Sequence, residues 1–172
     1  MENKTRCAWC EKDDLYRNYH DNEWGKPVYD DETIFEFLIL ETFQAGLSWY
    51  TVLAKRENFR KAFDNFDLMK IANYSEDKMD ALAEDAGIIR NKLKIKATVT
   101  NAQAFIKVQE EFGSFSKYIW GFVDGKPIDN KPKTLNEVKA TTPISDALSK
   151  DLKKRGFKFV GSTVMYAHMQ AT

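Results

Sequence analysis

The run IFEFLIL, from Ile34 to Leu40, is apolar at every position but one. Asp30 and Asp31 come just before it and suit the N-terminus of a helix. The run therefore predicts a central helix that is buried on nearly all sides rather than an amphipathic surface helix. Glu41 follows directly, and a carboxylate is costly to bury in such a helix without a partner.

Two interpretations of Glu41 are open from this segment alone. The carboxylate could close a buried ion pair or cap a neighbouring helix. It could instead form the floor of a ligand pocket, with Trp49 as an aromatic wall. The remainder of the chain has to decide between them.

The other segments predict further helices and no sheet. Capping residues precede several helical patterns: Ser48, Asp67, Ser75 and Ser145. Glycines end helical patterns at Gly46, Gly87, Gly113 and Gly156. The pattern after Ser48 predicts one helix through SWYTVLAKRENFRKAFDNF, and a long helix is predicted from about Asn91 to Phe112. Only FKFV alternates as a strand would, and it is too short to carry a sheet, so the predicted fold is all-α.

Basic residues are unevenly distributed, although acids and bases balance at 26 each. One cluster contains Arg90, Lys92, Lys94 and Lys96. A second contains Lys150, Lys153, Lys154, Arg155 and Lys158. Such clusters are compatible with solvated helix faces or with a phosphate-binding surface.

The segment EDAGIIRNKLKI, in the region of the first basic cluster, predicts a helix, a turn led by Gly87 and a second helix. Arg90 and Lys92 open that second helix. Backbone N–H groups at such a turn and helix start favour an anion. This is the pattern of a helix-hairpin-helix element that binds a DNA phosphate, although Ile89 replaces the second glycine of the usual hairpin.

The two cysteines, Cys7 and Cys10, lie too close to one end for a disulfide framework. Together with the absence of a signal peptide and of a membrane-spanning run, they predict an intracellular, reduced protein. A lone C-x-x-C is a weak signal for zinc, because a closed site needs two further ligands.

Several strings follow one another in a specific order: RCAW, YRNYHDNEWG, LETFQAGLSWYTVLAKRENFRKAF, DAGIIRNKLKI and ISDALSKDLKKRGFKFVGSTVMYAHMQA. Together they closely resemble the bacterial 3-methyladenine DNA glycosylase I family, over essentially the whole chain. The resemblance implies the helix-hairpin-helix DNA glycosylase fold in one domain, residues 1–172, whose terminal segments 1–30 and 145–172 pack together. It also implies an enzyme of base excision repair that flips 3-methyladenine out of DNA and hydrolyses its N-glycosidic bond, leaving an abasic site.

The resemblance assigns roles to particular residues. The acid of the LExxQAGLSW motif, here Glu41, would hydrogen-bond the methylated adenine and be the residue on which catalysis depends. Three aromatic residues would line the same pocket: Tyr16, Tyr19 and Trp49. Other residues would face the DNA: Gly46 and Leu47 in the gap left by the flipped nucleotide, and Gly87, Arg90 and Lys92 at the phosphates.

A structural zinc ion is also implied by the resemblance, held by Cys7 and His20. In the family the other two ligands come from an HxxxC pair beyond the QA motif. The printed sequence reaches Thr172 without such a pair, and His168 and Cys10 fall outside the family pattern. We therefore expect the remaining zinc ligands, in a C-terminal tail, to be missing from this sequence, or zinc to be bound otherwise.

The chemistry agrees with these roles. A purine alkylated on a ring nitrogen is cationic in its nucleoside, so its glycosidic bond is already weakened. KIKATVTNAQAF, the helix after the hairpin, supplies no acid before Glu110, which agrees with a glycosylase that relies on an unstable substrate. The expected partners are alkylated double-stranded DNA and free 3-methyladenine as product, for a monomer in the bacterial cytoplasm without membrane contact.

Two other classes of protein fit parts of the sequence. A non-catalytic helix-hairpin-helix DNA-binding module would keep the basic hairpin but would not need Glu41 among aromatic residues. A helical regulator that binds a small molecule would need the pocket but not the hairpin. Release of a free base from methylated DNA distinguishes a glycosylase from both.

Overall fold

The computed structural model describes residues 4–172, and the first three residues of the predicted domain lie outside the described residues. Within that range every regular element is helical, which confirms the predicted all-α fold. The α-helices are α1 (Asp14–Asn22), α2 (Asp31–Gln44), α3 (Trp49–Ala54), α4 (Arg56–Ala62), α5 (Leu68–Ala72), α6 (Glu76–Ala83), α7 (Lys92–Phe112), α8 (Phe115–Trp120), α9 (Pro143–Lys154) and α10 (Ser162–Ala171). Short 3₁₀ turns lie at Ala8–Cys10, Asp64–Phe66, Gly121–Val123 and Leu135–Glu137.

Helix α2 is the centre of the fold, as its apolar run predicts. Its side chains from Phe37 to Phe43 are all buried, and α3, α7, α8 and α10 pack around it. Asp30 begins the helix, because its Oδ2 accepts the N–H of Thr33 at 2.9 Å. Rings on α2 pack edge-on against neighbouring helices, for example Phe35 against Phe105 at 5.1 Å.

The predicted helix after Ser48 is wrong in one respect. Ser48 caps α3, but the helix stops at Lys55 and restarts as α4. Near the break, the Lys55 N–H donates to the carbonyl of Val52, three residues back, which tightens the last turn. The change of direction lets Phe59 pack on Phe43 at 4.8 Å.

Two predicted helix ends also differ from the structure. Helix α9 begins at Pro143 after the capping residue Thr142. Ser145 is therefore not the cap but the third residue of the helix, which completes the capping box with Thr142. Helix α6 ends at Ala83, so Gly87 is not its terminal glycine. Gly113 and Gly156, in contrast, follow their helices with the positive φ that the prediction implies.

The two ends of the described chain meet beside α2. The N–H of Gly25 donates to the carbonyl of Ala171 at 3.1 Å, and the N–H of Val28 donates to that of Thr172 at 2.8 Å. Helix α10 packs on both α9 and α2. In the described part of the chain, no helix has the length and apolar character to cross a membrane.

Candidate functional site

A cavity of about 1120 Å³ opens beside the C-terminal half of α2, between the start of the chain and α10. All of the residues predicted to bind the base line it: Tyr16, Tyr19, Glu41 and Trp49. Helix α1 supplies the two tyrosines, α2 the acid, and the first residue of α3 the tryptophan. A side-chain cap fixes the start of each of these three helices, and together the helices bring the four residues to one cavity.

Glu41 lies deep in this cavity, with 3% of its surface exposed. Burial alone raises the pKa of its carboxyl group to about 8. No hydrogen bond or ion pair joins this carboxyl group to another residue within 4–172, so it neither closes a buried ion pair nor caps a helix. The pocket interpretation is the one that the structure supports.

Aromatic rings surround the acid. The ring of Tyr19 is buried and lies 5.6 Å from that of Trp49, tilted by 46°. Burial, and then the charge of Glu41, raise the pKa of Tyr19, so its phenol stays protonated. The indole Nε1 of Trp49 is buried without a hydrogen-bond partner in the described chain, and a buried indole donor usually has one. The pocket therefore offers ring faces, one buried acid and an unsatisfied N–H donor.

Sequence reasoning missed further aromatic residues of the pocket, among them Trp9 and Trp24. The Trp9 ring lies 4.9 Å from that of Tyr16 and 5.3 Å from that of Trp24. Both tryptophans stand in the strings RCAW and YRNYHDNEWG, but no helical spacing connects Trp9 to α1. The only signal was their presence in those strings.

The turn between α2 and α3 forms the part of the site that faces solvent. Gly46 adopts φ +79°, a conformation that favours glycine, while a Cβ there would meet nothing within 4 Å. Leu47 is 39% exposed. Its N–H donates to the carbonyl of Gln44 at 2.7 Å, and the Gln44 Nε2 donates to the carbonyl of Leu47 at 3.0 Å. The turn thus presents an apolar side chain from a backbone closed by two hydrogen bonds.

The predicted hairpin is present as α6, a turn over residues 84–91 and α7. Gly87 does not have the positive φ of a helix-ending glycine. A Cβ at this position would lie 3.0 Å from Asp85 Oδ1 and 3.3 Å from Asn58 Cγ, so a larger residue would push these side chains away and glycine allows closer packing. Arg90 and Lys92 are exposed at the start of α7, where backbone N–H groups also point outward.

Both basic clusters are smaller than the sequence suggested. Lys94 is buried, and its Nζ donates to the carbonyls of Phe43 at 2.8 Å and Ala45 at 2.6 Å. Arg155 is held by Asp151 at 2.7 Å and Glu111 at 2.6 Å. Residue counts along the sequence could not reveal this, because Phe43, Ala45 and Glu111 are distant in the chain from the basic residues that they bind.

Part of the implied zinc site has a suitable arrangement. His20 Nδ1 lies 3.0 Å from Asp21 Oδ1, and Asp21 is also bound by Arg6. A carboxylate in that position commonly orients a zinc-binding histidine. Within residues 4–172, however, no three His, Cys, Asp or Glu side chains gather closely enough for a metal ion. The described residues do not complete a four-ligand site, and the role of Cys7 and His20 as zinc ligands stays a prediction.

His168 is the other histidine, and it lies in the cavity wall on α10. It is fully buried, and neither ring nitrogen has a hydrogen-bond partner in the described chain. Burial lowers its pKa to about 4, so the ring is neutral near pH 7. That His168 lies outside the implied ligand set stays a prediction.

A deep pocket with one buried acid among aromatic rings suits a flat ring that carries positive charge. Beside it stand an exposed apolar turn and a helix-hairpin-helix element with exposed basic side chains. These features define the class of helical proteins that bind a nucleobase next to a phosphate-contacting hairpin.

The chain belongs to the methyladenine glycosylase family, whose sequence profile matches residues 9–172. It is 49% identical to DNA-3-methyladenine glycosylase 1 of Escherichia coli over 96% of this chain and 89% of that protein. It is 48% identical to DNA-3-methyladenine glycosylase of Haemophilus influenzae over 97% of this chain and 90% of that one.

Solved structures show the same fold. One is 3-methyladenine DNA glycosylase I from Staphylococcus aureus, determined to explain its recognition of 3-methyladenine. It is 38% identical, with a TM-score of 0.93 over 96% of this chain and 88% of that chain. A variant of 3-methyladenine DNA glycosylase I in complex with 3-methyladenine has a TM-score of 0.94 at 38% identity, over 98% of this chain and 90% of that chain. The family resemblance predicted from the sequence is confirmed.

Proposed function

We propose that this protein is a DNA-3-methyladenine glycosylase, which hydrolyses the N-glycosidic bond of 3-methyladenine in alkylated DNA and leaves an abasic site. The observation that carries the proposal is Glu41, a buried acid at the floor of an aromatic pocket that has no partner among residues 4–172. Relatives with this activity in their names are about half identical to the chain over nearly all of its length.

Glu41 contributes through recognition in this mechanism. The alkylated purine is cationic in its nucleoside, and aromatic faces attract a desolvated cation by about 2 kcal/mol. A carboxylate stabilises that positive charge, whereas it stabilises a neutral adenine much less. A damaged base also costs less to unstack than a paired normal base, which adds selectivity.

The raised pKa of Glu41 fits this role. With a pKa of about 8, the carboxyl group of the free protein is mostly protonated at neutral pH. A cationic base beside it favours the anion and lowers that pKa. Glu41 is therefore expected to lose its proton and become charged when the cationic base binds.

The bond is cleaved with little help from the hairpin helix. In α7 the first acid is Glu110, about 27 Å along the helix axis from Lys92 at 1.5 Å per residue. The start of this helix therefore offers no carboxylate of its own to assist bond cleavage. Cleavage would instead rely on the instability of the alkylated nucleoside, and the binding energy of the protein would serve to extract the base.

One assay tests the proposal. Alkylated duplex DNA is incubated with the protein, and released bases are separated by chromatography. We expect 3-methyladenine in the released fraction and abasic sites in the DNA. Binding of the duplex without release of any base would instead favour the non-catalytic helix-hairpin-helix module.

The hairpin should supply affinity rather than base choice, since phosphate contacts carry no sequence information. We expect Arg90→Gln with Lys92→Gln to weaken binding to any duplex. The slope of log K against log salt should become shallower by about 1.8, at about 0.9 per lost phosphate contact. Lys107→Gln, at a site on the same helix far from the hairpin, is the control. An unchanged slope in the double variant would show that residues 87–92 form a structural turn without phosphate contacts.

Leu47 is proposed to enter the gap left by the flipped nucleotide, next to Gly46, as an apolar wedge. We expect Leu47→Ala to slow excision from duplex DNA by about tenfold, because the flipped state loses on the order of 1–2 kcal/mol of apolar contact. Leu15→Ala, which truncates a leucine of similar exposure outside the turn and the hairpin, is the matched control. Normal single-turnover excision by Leu47→Ala would contradict the wedge.

We propose zinc as a structural ion on one condition: Cys7 and His20 would bind it if a longer form of the chain supplies a further His and a further Cys. A form of the protein that includes those ligands should contain about one zinc ion per chain and lose thermal stability on chelation. The 172 residues alone should contain much less. Metal analysis of the longer form without stoichiometric zinc would refute the site.

The proposed partners follow from the same chemistry. Alkylated double-stranded DNA is the substrate and free 3-methyladenine is the product. A compact pocket and hairpin on one chain suit a monomer. A bacterial DNA substrate favours a cytoplasmic location, and the proposed partners include no membrane.

A further inference from the structure

Lys94 is a buried cation that no acid within residues 4–172 neutralises. It lies in the first turn of α7, two residues after Lys92. With 6% of its surface exposed, it donates from Nζ to the carbonyls of Phe43 at 2.8 Å and Ala45 at 2.6 Å. Those carbonyls belong to the end of α2, where a helix leaves its carbonyls unpaired and its dipole is negative. The helix end thus takes the place of an acidic partner.

The end of α2 is also where the pocket meets the solvent. Gln44 and Trp49, on either side of the turn, both line the cavity. Leu47 lies between them, and its backbone is bonded to Gln44 in both directions. Lys94 therefore connects this turn directly to the helix whose first residues form the phosphate-contacting hairpin.

We propose that Lys94 is a positioning residue, which sets the distance between the hairpin and the Gly46–Leu47 turn. The proposal rests on the function proposed above. With the hairpin fixed on the phosphates, the turn is then held at the depth required to replace a base in the stack. This role matters when the base must leave a duplex. It matters little for a base that is already unpaired.

Lys94→Met tests this role, since methionine fills a similar volume and provides no donor. Single-turnover excision is measured on an alkylated duplex and on the same alkylated strand alone, and free 3-methyladenine is titrated into the protein. We expect excision from the duplex to fall about tenfold or more, because small misplacements of reacting groups carry such costs. Excision from the single strand should change by less than about threefold, since no paired base has to be displaced. Affinity for the free base should be unchanged.

Val108→Ala is the matched control. Val108 is 1% exposed near the other end of α7, so the variant loses stability without touching the turn. Its ratio of duplex to single-strand excision should equal that of the wild type. If Lys94→Met does not fold, Lys94→Gln, which is shorter and keeps one donor group, should show the reduced ratio.

Two outcomes separate the possible failures. Equal loss on both substrates by the Lys94 variant, or an equal loss of free-base affinity, would overturn the positioning role. Absence of base release by the wild-type protein from either substrate would overturn the proposed function instead.

Discussion

Glu41→Gln should bind free 3-methyladenine about 10- to 100-fold more weakly than the wild type, because a hydrogen bond to a charged group contributes about 1.5–3 kcal/mol. Glutamine keeps the shape and most of the hydrogen-bonding capacity of the side chain while removing the charge. Single-turnover excision should fall at least as far, since the cationic nucleoside depends on that charge more than the free base does. Affinity for undamaged duplex should change little. Calorimetric titration of the base, beside the excision assay, measures both effects.

The same experiment separates recognition from general-base catalysis. Loss of turnover with wild-type affinity for the free base would show that Glu41 activates water instead. Glu32→Gln, an exposed acid on the same helix, is the control and should leave both measurements unchanged. Trp49→Ala should act in the same direction as Glu41→Gln, because it removes an aromatic wall of the pocket.

The sequence predicted the parts of the site that local patterns determine. The apolar run of α2 required a buried helix, so the burial of Glu41 followed from its place in that run. Capping residues such as Asp30 and Asp67 predicted helix starts because their effect is confined to the next turn. The resemblance then brought the tyrosines of α1 to the same pocket.

Local sequence patterns could not predict contacts between different elements of the fold. Lys94 looks like a surface lysine in a basic stretch, and only the position of the end of α2 shows that it is buried. Gly87 looks like a helix-ending residue, but close packing against Asn58 explains it better. Trp9 carries no helical periodicity, so only the fold places its ring against Tyr16. In each case the deciding partner is distant in the chain or outside its helix.

Glu41 should also make stability fall as the pH rises. Its pKa is raised from an ordinary value of 4.5 to about 8 by burial. Between those values the folded protein holds a proton that the unfolded chain has lost, so the free energy of unfolding decreases with pH. By pH 9 the cost is on the order of a few kcal/mol, because a tenfold difference in proton affinity between the folded and unfolded states corresponds to about 1.4 kcal/mol.

Glu41→Gln removes this titration, so we expect its unfolding temperature to exceed that of the wild type by a margin that widens from pH 5 to pH 9. His168, whose pKa of about 4 opposes folding on the acid side, is common to both proteins and cancels in the difference. Saturating 3-methyladenine should narrow the margin by stabilising the wild type selectively. Parallel stability curves for the two proteins would mean that Glu41 keeps an ordinary pKa. Measured together with base affinity, the margin would show that the acid which recognises the base is retained at a cost to the stability of the fold.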